Sequence, residues 1–150
     1  MNKSNKRAIH LLLVEDSLAD ITLMLELLAE VKAVADVRVV TNGEDAMKYL
    51  LQKHPYDSAP QPDMIVLDLN LPKKDGREVL EEVKNHPSLK HIPIIILTTS
   101  QSDDDILNSY EHYASCYITK PMDLEKYVDL INSLNSFWFS LVTFPTARMP

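Results

Sequence analysis

The chain has 150 residues, of which 45% are hydrophobic and 25% charged, with a formal net charge of -7. That length bounds it to one domain with room for a real core, and the acidic balance argues against nucleic acid, whose binding needs clustered Lys and Arg. The single cysteine, Cys116, rules out an internal disulfide and fits a reducing compartment; the apolar run Leu11–Val14 behind the basic start MNKSNKR is too short for a signal peptide or a membrane span, so a cytoplasmic protein with no membrane partner is expected.

Short apolar runs alternate with segments of helical period. His10–Val14 reads as a strand, and Ser17 with Asp20 three residues on is an N-cap signature. Leu18, Ile21, Leu25 and Leu28 then fall on one helical face. Asp36–Val40 is a second strand, and Asn42-Gly43 turns into a helix carrying Ala46, Met47, Leu50 and Leu51. The segment 54–62 holds three prolines without periodicity and is a loop. Met64–Leu67 is the third strand; a helix with Val79, Leu80 and Val83 inward starts at Asp75-Gly76 and stops near Asn85-His86-Pro87. Ile92–Leu97 is the fourth strand, followed by a helix over Asp103–Tyr113 whose first turn carries three aspartates, favourable against the helix dipole. Cys116–Ile118 is a short fifth strand, and the last helix runs over Asp123–Trp138 with Leu124, Tyr127, Val128, Ile131 and Leu134 as its stripe.

Five β-α units with continuously apolar strands predict an α/β fold: a doubly wound, flavodoxin-like five-stranded parallel sheet covered on both faces. There is no G-x-G-x-x-G, no P-loop, and only two glycines, which argues against a nucleotide phosphate cradle. The five histidines show no ligand spacing.

In a parallel sheet all strands end at the same edge. Strand one ends at Glu15-Asp16, strand three at Asp68, strand four at Thr98-Thr99-Ser100 and strand five at Thr119-Lys120-Pro121. Three carboxylates there repel one another unless a cation joins them. Mg²⁺, a hard ion content with carboxylates, water and a phosphate oxygen, is the natural choice. Lys120 offers a point charge to a phosphate oxygen and the Thr98 hydroxyl a hydrogen bond. These are parts for phosphoryl transfer, in which protein groups mainly position and neutralise, with Asp68 as the covalent acceptor. Each residue alone has a plainer account: Glu15-Asp16 as solvated acids before a helix, Lys120 as a surface lysine, Thr98 as a strand-end hydroxyl. Their joint occurrence at successive strand ends favours a site.

The motifs LLLVEDS (11–17), LDLNLPKKDG (67–76), ILTTS (96–100) and YITKP (117–121), with Thr98 thirty residues after Asp68 and Lys120 twenty-two after Thr98, resemble the receiver domain of two-component response regulators over roughly Ile9 to Leu134. The resemblance implies that Asp68 is the phosphoacceptor, that Asp16 binds Mg²⁺ directly and Glu15 through water, and that the backbone carbonyl of Asn70 is a further ligand. It implies a Thr98–Tyr117 switch pair, a Lys120–phosphoryl contact, a cis Lys120–Pro121 peptide, and tuning of autodephosphorylation at Asn70 and Ser100. The partner implied is a sensor histidine kinase, and the face expected to respond is helix 4–strand 5–helix 5. The alternatives are a pseudo-receiver that only binds partners, against which the complete acidic set argues, and an aspartyl-phosphate hydrolase, which would need an acid where Asn70 stands.

The domain division expected is an N-terminal tail over 1–8, the receiver over 9–136 and a C-terminal extension over 137–150. The extension, SFWFSLVTFPTARMP with its flank, is dense in apolar residues and too short for a DNA-binding output domain, so a stand-alone receiver is expected. Phe137, Trp138, Phe139 and Phe144 either pack on the protein's own body or form a homodimer or partner surface; the second is favoured. With DLNLPKKDGREVL and YITKP, the tail resembles single-domain regulators paired with phytochrome-type kinases, which implies light signalling.

Overall fold

The computed structural model describes residues 8–145; of the predicted tails, 1–7 and 146–150 lie outside the described residues. Ten elements alternate along the described residues: β1 (Ile9–Val14), α1 (Leu18–Leu28), β2 (Val34–Val40), α2 (Gly43–Leu50), β3 (Met64–Leu67), α3 (Gly76–Asn85), β4 (Ile94–Thr98), α4 (Asp103–Glu111), β5 (Cys116–Thr119) and α5 (Leu124–Ser136). The strands form one parallel sheet in the order β2-β1-β3-β4-β5, the doubly wound arrangement expected from the alternation.

Strand alternation divides the core into two layers. Leu12 and Val14 of β1, Ile65 and Leu67 of β3, and Ile94 and Ile96 of β4 face α2 and α3. Leu11 and Leu13, Met64 and Val66, and Ile95 and Leu97 face α1 and α5. Both sides of these strands are therefore apolar, as a sheet covered on both faces requires. Each helix begins at a capping side chain just beyond a strand: Ser17, Asn42, Asp75, Ser102 and Asp123. Such a cap contributes about 1 kcal/mol and fixes where the chain turns back from the sheet edge.

Several predicted details change. β4 runs Ile94–Thr98 rather than Ile92–Leu97, because Pro93 has no N–H for the ladder and the Ile92 N–H is used in a turn to Leu89 O. α4 and α5 stop two residues short of prediction, and Tyr113 takes φ 68°, outside helical space. Leu18 and Leu124 are 76% and 60% exposed; both stand in the first turn of their helices, beyond the edge of the sheet that would cover them. The buried stripes are Ile21, Met24 and Leu28 on α1, and Tyr127, Ile131 and Leu134 on α5, leaving Leu25 and Val128 on the solvent side. Lys120–Pro121 is trans, the single cis peptide among the described residues being His54–Pro55. The trans isomer, favoured at X–Pro by about 0.5–1 kcal/mol, already allows the Lys120 N–H to bond Thr98 O at 2.7 Å.

The predicted aromatic surface is mostly an inner layer. Phe139 is 2% exposed and belongs to the α1–α5 core. Trp138 and Phe144 pack against the same core, with ring centroids 6.3 Å apart. Only Phe137, 53% exposed, stands clear of it, together with Leu141. Burial of a large aromatic repays its ordering more than a solvated helix end would.

Gly76 opens α3 directly beneath the end of β3. A Cβ built there would lie 2.2 Å from Asp68 O and 2.7 Å from Leu69 Cα, both backbone atoms that cannot yield cheaply. Gly76→Ala is expected to lower the urea-unfolding free energy by about 1–3 kcal/mol; an unchanged midpoint would show that the two backbones can separate.

Candidate functional site

The carboxyl edge of the sheet gathers the predicted groups. Asp68 follows β3, where its N–H bonds Val14 O at 3.0 Å, and Glu15 follows β1, where its N–H bonds Val40 O at 3.0 Å. The strand ladder thus sets the backbone of both acids. Glu15, Asp16 and Asp68 each offer a carboxylate oxygen, and these atoms lie within 4.8 Å of one another. Glu15 and Asp68 are buried, whereas Asp16 is exposed.

Lys120 enters the cluster from the end of β5. Its Nζ lies 2.8 Å from Glu15 Oε1, 2.8 Å from Asp20 Oδ2 and 2.9 Å from Asp68 Oδ2. An ammonium has three protons, and each has a carboxylate partner. The remaining carboxylate oxygens are also held: Asp68 Oδ1 accepts from the Asn70 N–H at 3.2 Å, Glu15 Oε2 from the Ser17 N–H at 3.0 Å, and Asp20 Oδ1 from the Tyr127 hydroxyl at 3.1 Å.

These contacts set the protonation balance. Burial alone would push the Lys120 ammonium down, but bonds to Asp20, Glu15 and Asp68 outweigh it and raise its pKa. Burial acts to raise Asp20, yet Lys120, Tyr127 and Ser17 hold it below the usual carboxylate range. Glu15 is raised because burial and the neighbouring Asp68 charge exceed what Lys120 and Ser17 return. Burial and the adjacent Asp20 charge push the Tyr127 hydroxyl up to about 12. One ammonium against four carboxylates (Glu15, Asp16, Asp20 and Asp68) leaves the edge strongly negative. Carboxylate oxygens this close are hard donors suited to a small divalent cation, so the residues fit Mg²⁺.

Thr98 is fully buried at the end of β4 and its Oγ1 accepts weakly from the Ser100 N–H at 3.4 Å. Tyr117 is half-buried and donates its hydroxyl to Ser100 O at 2.9 Å. Asn70 is exposed. The Ser100 hydroxyl donates to Asp105 Oδ2 at 2.6 Å, so it is engaged by α4. Arg77 completes that network: Nε and Nη2 bond the two Asp105 oxygens at 2.8 and 2.7 Å, and Nη1 reaches Asp75 at 3.0 Å and Leu69 O at 3.4 Å. One guanidinium thereby ties the loop after β3 to α4.

Two participants escaped the sequence reading. Asp20 was legible only as the residue whose N–H meets the Ser17 cap, one turn into a helix. Tyr127 was legible only as part of the α5 stripe. The available signal was their position on the α1 and α5 faces toward the same strand ends; it needed the strand order β3-β4-β5 to bring Lys120 to them.

Comparison with known proteins agrees with this geometry. The family model described as "Response regulator receiver domain" matches residues 11–132. Response regulator Rcp1 of Synechocystis sp. is 45% identical over 137 residues, 91% of this chain and 93% of that protein. The crystal structure of the phosphorylated cyanobacterial phytochrome response regulator RcpA superposes with a TM-score of 0.89 at 46% identity, covering 93% of this chain and 99% of that one. The Mn²⁺-bound form of response regulator Rcp1 gives a TM-score of 0.85 at 44% identity, covering 92% and 99%.

The Arg77–Asp105 pair has a pH signature. The guanidinium and the Ser100 hydroxyl hold the Asp105 carboxyl at about 2, against 3.8 ordinarily. A carboxyl lowered in the folded state contributes stability above its unfolded pKa and loses it as pH falls toward the folded one. The pair is partly solvated, so the contribution is on the order of 1–2 kcal/mol. The stability gap between wild type and Asp105→Asn in urea should be full near pH 5 and about half closed near pH 3; a gap independent of pH would exclude the charge as its source.

Proposed function

We propose that this chain, which belongs to the response regulator receiver domain family, carries a phosphoryl group on Asp68, received from a phosphohistidine of a sensor histidine kinase. The observation that carries this reading is the placement of the Asp68 carboxylate: buried at a strand end, 2.9 Å from the Lys120 ammonium, with Glu15 and Asp16 oxygens alongside. Asp68 attacks phosphorus, the phosphorus–nitrogen bond of the donor breaks, and the imidazole keeps the electron pair and takes a proton from solvent. The product is an acyl phosphate, so the chain is a phosphoacceptor and not a turnover enzyme for an external substrate.

The residues have distinct parts in this scheme. Asp16, Asp68 and the Asn70 carbonyl would hold Mg²⁺, with Glu15 acting through water; the ion neutralises charge on the transferring group. Lys120 pairs with a phosphoryl oxygen, and the Thr98 hydroxyl turns to another. Tyr117 and Thr98 form the switch pair, coupled through Ser100, whose carbonyl Tyr117 holds and whose N–H meets Thr98. Asn70 and Ser100 set access of hydrolytic water. The α4–β5–α5 face responds to the phosphoryl group.

The receiver unit is assigned to 9–136, with 1–8 as a tail and 137–150 as an extension whose Phe139 packs into the receiver's own core. Its kinase partner is of phytochrome type, a reading supported by the similarity to RcpA and Rcp1. No described helix is long and apolar enough to cross a membrane, and a cytoplasmic site of action suits a kinase partner. A homodimer through Phe137 and Leu141 is the remaining part, supported by their exposure beside the buried Phe139.

Incubation with acetyl phosphate and Mg²⁺ should add one phosphoryl group to the intact mass, and Asp68→Asn should abolish the addition; undiminished incorporation in that variant would sink the assignment. Asp16→Ala should weaken Mg²⁺ binding, read by calorimetry, by about tenfold or more, since it removes a charged ligand to a hard ion. Phe137→Asp should shift sedimentation toward the monomer; unaltered sedimentation would overturn the proposed dimer contact at Phe137.

A further inference from the structure

Asp20 lies outside the proposed metal set, yet it holds Lys120 as closely as Glu15 does, at 2.8 Å. Of the three carboxylates on Lys120, Glu15 and Asp68 are also in the group of acids suited to a cation. Asp68 changes identity when it carries a phosphoryl group. Asp20 is therefore the partner whose hold on the ammonium need not be shared or surrendered. It has its own anchor, because Oδ1 accepts from the Tyr127 hydroxyl on α5 at 3.1 Å. Tyr127 is in turn 4% exposed and packed in the α1–α5 core.

We propose that Asp20 is the positioning residue for Lys120, and that Tyr127 fixes Asp20, so that the seat of α5 sets the placement of the ammonium at the phosphorylation site. The chain of contacts is Tyr127 Oη, Asp20 Oδ1 and Oδ2, Lys120 Nζ, Asp68 Oδ2, and it crosses from helix α5 through α1 to the ends of β5 and β3. A lysine side chain is flexible and its ammonium a compact charge with no preferred fork geometry. A carboxylate that is itself anchored, as Asp20 is by Tyr127, holds such a group where a phosphoryl oxygen would meet it. Repulsion is the opposing effect, because Asp20 adds a negative charge near an anionic donor. The lowered pKa of Asp20 accords with its charge being taken up by Lys120, and its Oδ1 bond to Tyr127 keeps it oriented toward the lysine.

The kinetic part rests on the proposed phosphoryl acceptance; the positional part does not. The full chain, Asp20→Asn and Tyr127→Phe serve as the test. Asp20 is partly exposed and Asn is isosteric, while Tyr127→Phe removes only a hydroxyl, so one variant stands if the other misfolds. In the metal-free, unphosphorylated protein labelled with ¹⁵N-lysine, the buried Lys120 ammonium should give its own exchange-protected signal, assigned by its loss in Lys120→Arg. Asp20→Asn should shift or broaden that signal, and Tyr127→Phe should do so to a lesser degree. With acetyl phosphate and Mg²⁺, the maximal incorporation rate should fall about tenfold in Asp20→Asn, less than the roughly hundredfold that a misplacement of about 1 Å can cost because Glu15 still holds the ammonium, and by less in Tyr127→Phe. A rate equal to or above wild type in Asp20→Asn would assign repulsion rather than positioning and overturn the inference. Should the wild-type chain take up no phosphoryl group, the proposed function falls, and the ammonium signal decides alone: a Lys120 signal indifferent to both variants overturns the inference.

Discussion

Three carboxylates share one ammonium at the carboxyl edge of the sheet, and much of the site's arrangement follows from that sharing. Taking Glu15, Asp68 and Lys120 out of water costs several kcal/mol per ion, which mutual attraction offsets only when the remaining polar positions are also satisfied. They are satisfied here by backbone N–H groups of Ser17 and Asn70 and by the Tyr127 hydroxyl. The sheet makes the arrangement possible because β1, β3 and β5 end at one edge. An apolar replacement would pack there at less cost, but it would leave nothing to receive a charged group. In the proposed scheme, the cluster is a place where stability is given up for reactivity.

A second layer surrounds it. Gly76 lets α3 start against the Asp68 backbone. Arg77, one residue on, binds the loop after β3 to Asp105 of α4, and Asp105 binds the Ser100 hydroxyl. Ser100 is also held through its carbonyl by Tyr117. The segment after β4 therefore has one tie to α4 and another to β5. Thr98 Oγ1 meets the Ser100 N–H, so the proposed movement of Thr98 would be felt at both ties.

The sheet was legible from sequence because its strands are apolar throughout and its helices follow capping residues. The acidic triad and Lys120 were legible because strand ends are where a parallel sheet must bring residues together. Asp20 was not: a carboxylate one turn into a helix has no pattern that separates a solvated acid from one that meets a lysine 100 positions away. Leu18 and Leu124 were misplaced for a related reason. Helical period gives the direction a residue faces but not whether the sheet extends far enough to cover it. The aromatic segment was misjudged because density of apolar residues does not distinguish a surface from a layer; only the available space beside Met24, Ile131 and Leu134 does.

The burial of Phe139 alters where the folding unit ends. Among the described residues regular secondary structure stops at Ser136, and a boundary drawn from strands and helices would stop there too. The next turn contributes a ring to the same core that supports α1 and α5, and those two helices carry Asp20 and Tyr127. Shortening the chain at the last helical residue would open a hole behind α1, whose Asp20 holds the lysine, and α5, whose Tyr127 holds Asp20. The segment after α5 thus belongs to the support of the site, some distance from any group that touches it.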